Sequence, residues 1–261
     1  MNATKIKNEV TTLYNADVTG EDYTLRDKML VHTINYNAQG KKMYEGWQDC
    51  DPDNETSLGC WGVRYDDESH CLMIRDGLSI GEFTFEQVAE DYRIENYNGE
   101  DAVWTKEYNS GYLVYEEHQE CSGISMTAYE YEEDGKMILQ KHASIDFENN
   151  SVSYGIVEYI YQDGKLSKEI WQSCESPSID DFFNDNYTKN ETDINSLYEY
   201  TESEELNGDK RVVTIRKYNS KDNTLVKKTI RTYDNMQDRL ICQTDVHLTI
   251  EPCVEETIYQ Y

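Results

Sequence analysis

Two of the five histidines, His118 and His142, occupy comparable positions in a recurring sequence form. Imidazoles on neighbouring strands can hold a metal or exchange protons near neutral pH. A hydrolase built on that pair would also need an activated nucleophile. No Ser or Cys of the chain sits in a nucleophile-elbow signature, and no H-E-x-x-H, Walker or G-x-G-x-x-G motif occurs. Glu116 with Glu117, and Glu132 with Glu133, have the look of a glycosidase acid pair, but among 52 acidic residues such adjacency arises by chance. The run Asp49-Cys50-Asp51-Pro52-Asp53-Asn54-Glu55 opens like a calcium loop. An EF-hand requires Gly at its sixth position and Glu at its twelfth, and here those are Asn54 and Cys60. A solvated acidic turn is the expectation, with no metal and no cofactor. Trp47-Gln48, His118-Gln119 and Trp171-Gln172 are each followed two residues later by Cys50, Cys121 and Cys174. In register on one sheet face they would form an aromatic binding strip; the plainer expectation is a core layer with small buried cysteines. The residues therefore point to recognition rather than catalysis.

The elements that carry these residues are hairpins. Tyr36 precedes Gly40-Lys41, Tyr108 precedes Gly111, Tyr131 precedes Gly135-Lys136, and Tyr161 precedes Gly164-Lys165, with shorter matches at Tyr65, Tyr218 and Tyr233. The shared form is an alternating strand ending in Tyr, a polar Gly or Asn turn, a basic residue, and a second alternating strand. Gly, Asn and Asp accept the positive φ of tight hairpin turns, while Tyr and β-branched residues suit a pleated, half-buried surface. The expected fold is mainly β: an antiparallel, repeat-built hairpin meander forming a twisted or barrel-like sheet, with two or three short peripheral helices. Those helices are predicted over 3–14, where Ile6, Val10 and Leu13 make one stripe; over 85–94, after a Thr84/Gln87 capping box; and after Ser178, an N-cap for a turn carrying Phe182 and Phe183. Residues 184–209 read as a long polar connection, with Leu197–Tyr200 as a further strand. One domain over 1–261 is expected, with a weak division near 176–209.

The repeats Tyr161-Gln-Asp-Gly164-Lys-Leu and Tyr131-Glu-Glu-Asp-Gly135-Lys resemble units of YD-repeat proteins and, more loosely, MORN-type antitoxin repeats. The spacing drifts, and the Trp/His-Gln-x-Cys ending belongs to neither. The resemblance implies stacked hairpins with protein-binding or cell-surface roles and no catalytic residues.

Composition sets the partner. The 261 residues carry 52 Asp and Glu against 24 Lys and Arg, a formal charge of −28. That field repels phosphate backbones, so nucleic acid is excluded as a general electrostatic partner and a basic protein is favoured. One segment runs the other way: residues 209–231 hold eight basic residues against two acidic. Pairing of this strip with the chain's own carboxylates across strands is the expectation. No stretch reaches the ~18 apolar residues of a membrane span. The start, Met1 to Val10, lacks an apolar signal region, and seven cysteines are odd in number without a C-x-x-C, so free thiols in a cytoplasmic protein are expected. The expected function is an acidic protein-binding module of bacterial immunity or antitoxin type, neutralising a basic toxin. Asp49, Asp51, Asp53, Glu130, Glu132, Glu133 and Asp134, with Trp47 and Trp171, are its candidate contacts. The alternative is a secreted or surface-associated β-repeat protein that binds proteins or glycans.

Overall fold

The computed structural model describes residues 5–37, 42–50, 60–65, 70–75, 78–99, 102–248 and 252–261. In chain order its strands are β1 (Asn8–Thr19), β2 (Asp22–Tyr36), β3 (Lys42–Asp49), β4 (Cys60–Tyr65), β5 (His70–Arg75), β6 (Leu78–Ala89), β7 (Tyr92–Gly99), β8 (Ala102–Asn109) and β9 (Tyr112–Glu120). They continue with β10 (Gly123–Tyr131), β11 (Met137–Asp146), β12 (Ser151–Gln162), β13 (Lys165–Glu175), β14 (Thr188–Asn207), β15 (Lys210–Asn219), β16 (Thr224–Asp234), β17 (Arg239–His247) and β18 (Cys253–Gln260). One short helix, α1 (Ile179–Phe183), lies between β13 and β14. The expected class, an antiparallel hairpin meander, is what the structure shows.

The chain divides into two compact units. The first comprises residues 1–66, 71–79 and 200–261, the second residues 67–70 and 80–199. In the first unit the antiparallel order is β15-β16-β17-β18-β1-β2-β3-β4-β5. β1 is thus hydrogen-bonded on both sides, to β2 and to β18. In the second unit the order is β6-β7-β8-β9-β10-β11-β12-β13-β14.

The recurring tyrosine has a structural job. A register shift falls directly before Tyr36, Tyr108, Tyr131, Tyr161, Tyr218 and Tyr233. Such bulges bend the strand and re-aim its last side chains. The rings then turn onto the neighbouring hairpin. Tyr131 donates its hydroxyl to the Leu113 carbonyl at 2.9 Å, Tyr161 to Met137 at 3.0 Å, and Tyr261 to Leu240 at 2.7 Å. The basic residue after one turn packs on the tyrosine at the end of the following strand: Arg93 on Tyr108 at 4.4 Å, Lys136 on Tyr161 at 5.6 Å, Arg211 on Tyr233 at 4.2 Å, and Arg239 on Tyr261 at 5.1 Å. The Tyr-turn-basic form is therefore the signature of a cation–π ladder between successive hairpins.

The core of the second unit lies on one sheet face, where Met126, Ala143, Ile156 and Cys174 from β10 to β13 meet Phe182 of α1. Ser178 caps the helix, its Oγ accepting from the Asp181 N–H at 3.0 Å, as the sequence led us to expect.

Three expectations need correction. The helix expected over 3–14 is absent from the described residues 5–14. From Asn8 they are strand β1, because Val10, Thr11 and Thr12 favour extended backbone and both edges of the strand find partners. The predicted helix at 85–94 is the β6–β7 hairpin. Gln87, read as a capping residue, donates to the carbonyls of Glu90 at 3.4 Å and Tyr92 at 3.2 Å and so closes the turn. Residues 184–209 are largely the 20-residue strand β14, in which the notional connection pairs with β13 from Thr188 to Glu199. Among the described residues α1 is the one helix, against the two or three expected.

Candidate functional site

A concavity lies in the second unit, on the sheet face opposite its core. Side chains alternate across a strand, so cross-strand partners share a face. His118 of β9 stands opposite Ser125 of β10, Ser125 opposite Ser144 of β11, and Ser144 opposite Ser153 of β12. Ser144 and Ser153 share a hydrogen bond of 2.7 Å. The β9–β10 and β11–β12 turns rise beside this row and enclose a cleft of about 400 Å³, lined by His118, Glu120, Ser122, Ser125, Ser144, Asp146 and Glu148 together with Gly123, Ile124 and Ile145.

His118 Nε2 lies 3.3 Å from Glu120 Oε1, and the His118 ring meets Trp104 edge-on at 5.5 Å. Asp146 is held in its turn: Oδ1 accepts the N–H groups of Glu148 at 2.9 Å and Asn149 at 3.0 Å, while Oδ2 accepts Asn149 Nδ2 at 2.7 Å. These bonds, the Asn149 backbone foremost, keep its carboxyl below the ordinary range. No lysine or arginine lines the cleft. Its walls offer carboxylates and hydroxyls, so the cleft suits a ligand that brings N–H donors or positive charge. A nucleophile–base pair would place the imidazole on a serine Oγ, and here its near partner is a carboxylate.

His142 lies on the same face one row away, opposite Thr127, with its Nδ1 3.2 Å from Thr127 Oγ1. Crowding by its neighbours lowers its pKa, and the Glu116 carboxylate opposes that shift. Strand β10 stands between the two histidines, and His118 alone lines the cleft. They do not form a working pair.

The sequence-predicted contacts are dispersed. Asp51 and Asp53 fall outside the described residues, and Asp49 is placed only as the last position of β3. Glu130, Glu132, Glu133 and Asp134 surround the β10–β11 turn and are exposed. Glu130 pairs with Lys141 Nζ at 2.8 Å, and that buried lysine also takes Asp185 at 2.8 Å. Burial alone would lower the Lys141 pKa, but the two carboxylates outweigh it and the net shift is upward. Asp134 is closed onto Lys136, which holds its carboxyl low. Glu132 is felt by Lys136 as a charge, and Glu133 projects with no ion pair among the described residues.

Within the second unit the aromatic strip does not form. Trp47 and Trp171 belong to different units. Trp47 stacks on His32 at 4.7 Å, and Trp171, 43% exposed, donates Nε1 to Glu169. The row through His118 reaches Ser153 and meets β13 beyond Cys174, so Trp171 stands at another level of the sheet. The core-layer reading of the cysteines is corrected as well: Cys174 is buried, Cys50 half-buried and Cys121 exposed, all three as free thiols. What sequence reasoning missed is the serine row. Ser125, Ser144 and Ser153 occupy alternating strand positions, a visible signal, but their alignment depends on registers that the sequence does not print.

The basic strip behaves as expected. Arg211 reaches Asp238 at 2.5 Å and Glu204 at 3.6 Å, Arg216 reaches Glu21 at 2.9 Å, and Lys227 reaches Asp245 at 2.9 Å. Burial would raise the Asp245 pKa, yet bonds from Thr229, Lys227 and Gln243 hold it low. Among the described residues no group of three or more His, Cys, Asp or Glu is placed to hold a metal ion, and no helix is long and apolar enough to cross a membrane.

No protein-family model matches the chain, and no curated protein does. Among solved structures it is similar to a porin-like protein from Bacteroides uniformis, at 10% identity and a TM-score of 0.35, covering 99% of this chain and 97% of that one. It is also similar to a porin-like protein from Bacteroides vulgatus, at 11% identity and a TM-score of 0.34, covering 99% and 98%.

Proposed function

We propose that the protein is a non-catalytic, acidic binding module that captures a basic protein partner, in the manner of a bacterial immunity or antitoxin protein. One observation carries the reading: the chain consumes its own cations. Arg211, Arg216, Lys227, Lys228, Lys136 and Lys141 all face internal carboxylates, while the net charge remains −28. The unneutralised charge is therefore acidic and includes Glu132 and Glu133 of the β10–β11 turn and the rim of the cleft. A partner's Lys or Arg side chains match both. Charge complementarity of this kind accelerates encounter and makes association depend on salt.

The test is association with the purified product of a neighbouring toxin-like gene. Binding at low salt that weakens at least tenfold by ~0.5 M NaCl, and a slower on-rate for E132Q/E133Q/D134N, are expected. No complex at low salt, or one indifferent to salt, overturns the proposal. A second reading, a surface-associated β-repeat protein that binds glycans, is favoured by the exposed Trp171 ring beside Glu169. Glycan binding abolished by Trp171→Ala would support it.

A further inference from the structure

The outer half of the β1–β2 hairpin leaves its sheet and crosses it. Tyr14 of β1 pairs with Val254, Val254 with Val246, Val246 with Lys228, and Lys228 with Arg216, so these five residues form one row from β1 to β15. Four strand spacings make that row roughly 19 Å long, and the seven residues from Tyr14 to Glu21 reach roughly 23 Å when extended. Glu21 nevertheless sits at the far end of the row. Its Oε2 is 2.9 Å from Arg216 Nε and 3.7 Å from Lys228 Nζ, and Lys228 also donates to the Glu21 carbonyl at 3.1 Å. The hairpin can make these contacts only by running across the strands, over β18 and β17.

The bend is built into the backbone. Register shifts at Leu13/Tyr14 and Tyr14/Ala16 interrupt the β1–β2 ladder, and only four paired positions, Ala16 to Thr19 against Leu25 to Asp22, lie beyond them. The tip turns at Gly20, where φ is +66°. Beneath the crossing segment Ala16, Val18 and Tyr23 pack on Val246, Val254 and Leu248. Its upper side, Asp17 and Thr19 to Asp22, is exposed. A segment with three inward side chains, a short ladder and an ionic tip has the low local stability of elements that open without global unfolding.

We infer that residues 16–25 form a salt-releasable strap, latched by Glu21, over a cationic and apolar face of β15–β18. Closed, the strap presents Glu21 to Arg216 and Lys228 and covers Val246 and Val254. Open, it uncovers two cations beside two valines, a surface that fits an anionic ligand with an apolar body, opposite in sign to the rest of the molecule.

Hydrogen exchange on the full chain tests this, with the anionic apolar dye anilinonaphthalene sulfonate as the probe. In E21Q the amides of 16–25 should exchange at least tenfold faster while those of 240–246 keep their protection, and dye fluorescence should rise with unchanged far-ultraviolet dichroism. In the wild type, ~0.5 M NaCl should quicken the same hairpin amides. Exchange that is unmoved by substitution and salt, or that rises equally in both segments, overturns the strap.

Discussion

At the scale of single residues the tyrosines carry the argument. Tyr108, Tyr161, Tyr233 and Tyr261 are bound through their rings to cations, and Tyr131, Tyr161 and Tyr261 through their hydroxyls to backbone carbonyls of the neighbouring hairpin. Tyr161→Phe keeps the ring on Lys136 and removes the donor to Met137. The half-exposed carbonyl can recruit water, so a loss of about 1 kcal/mol is expected from the denaturant midpoint, against a larger loss for Tyr161→Ala. The phenols also set an alkaline limit. Burial, with the Glu95 charge, pushes Tyr108 up to about 12, and burial, with the Glu169 charge, pushes Tyr159 up to about 12. A folded pKa above the unfolded value near 10 means that the native state binds more protons in that interval. Their contribution is complete below pH ~10 and is lost as pH rises towards 12. The part of the 295 nm tyrosinate absorbance that Tyr108→Phe and Tyr159→Phe remove should therefore appear together with loss of dichroism. Titration of Tyr108 or Tyr159 near 10 in a chain still folded would contradict the burial of these two rings.

At the scale of elements, turns and caps decide what propensity cannot. Asp163 and Gly164 both have positive φ, 51° and 78°, as a two-residue hairpin turn requires. A Cβ on Gly164 would meet nothing within 4 Å, so Gly164→Ala costs conformational strain alone, about 1–2 kcal/mol, and Gly164→Asn less. Phe182→Ala should cost about 3–5 kcal/mol, because the ring is fully buried against Tyr154 at 5.0 Å and Tyr187 at 5.2 Å. Thermal melts of these variants check both values. The hairpin meander was legible in the sequence because its signals are local: a Tyr, a turn residue with positive φ, a basic residue. The α1 cap at Ser178 was legible for the same reason. β14 was not, since its polar residues are held extended by pairing with β13, a strand that ends 13 residues earlier in the chain. The stripe Ile6, Val10, Leu13 fits helical spacing, and partners on both sides of β1 override it. The cleft was illegible because it is assembled by register: His118 was noticed, but nothing local told it apart from His142 or aligned it with three serines.

At the scale of the whole molecule, two electrostatic effects of opposite sign meet in the acid range. A formal charge of −28 at neutral pH with a sequence pI near 4.4 means that falling pH first relieves self-repulsion, which stabilises the folded state. Against this stand carboxyls whose folded pKa lies below the ordinary value: Glu21 through its bond to Arg216, Asp134 through Lys136, Asp181 through Ser178, and Asp245 through bonds that overcome its burial. For each, the unfolded state takes up its proton first, so its contribution is full above pH ~4 and is lost as pH falls through the depressed folded value. The denaturant midpoint should consequently rise from pH 7 to a maximum near pH ~5 and fall steeply below ~4. Raising salt from ~0.01 to ~0.15 M, which shortens the screening length from about 30 to 8 Å, should lift the pH 7 midpoint and flatten the rise towards pH 5, because it removes the same repulsion. The acid limb should move less with salt, since short paired contacts are screened less than distant like charges. A midpoint that declines steadily from pH 7 downward would mean that internal pairing, rather than net charge, governs the stability of this chain.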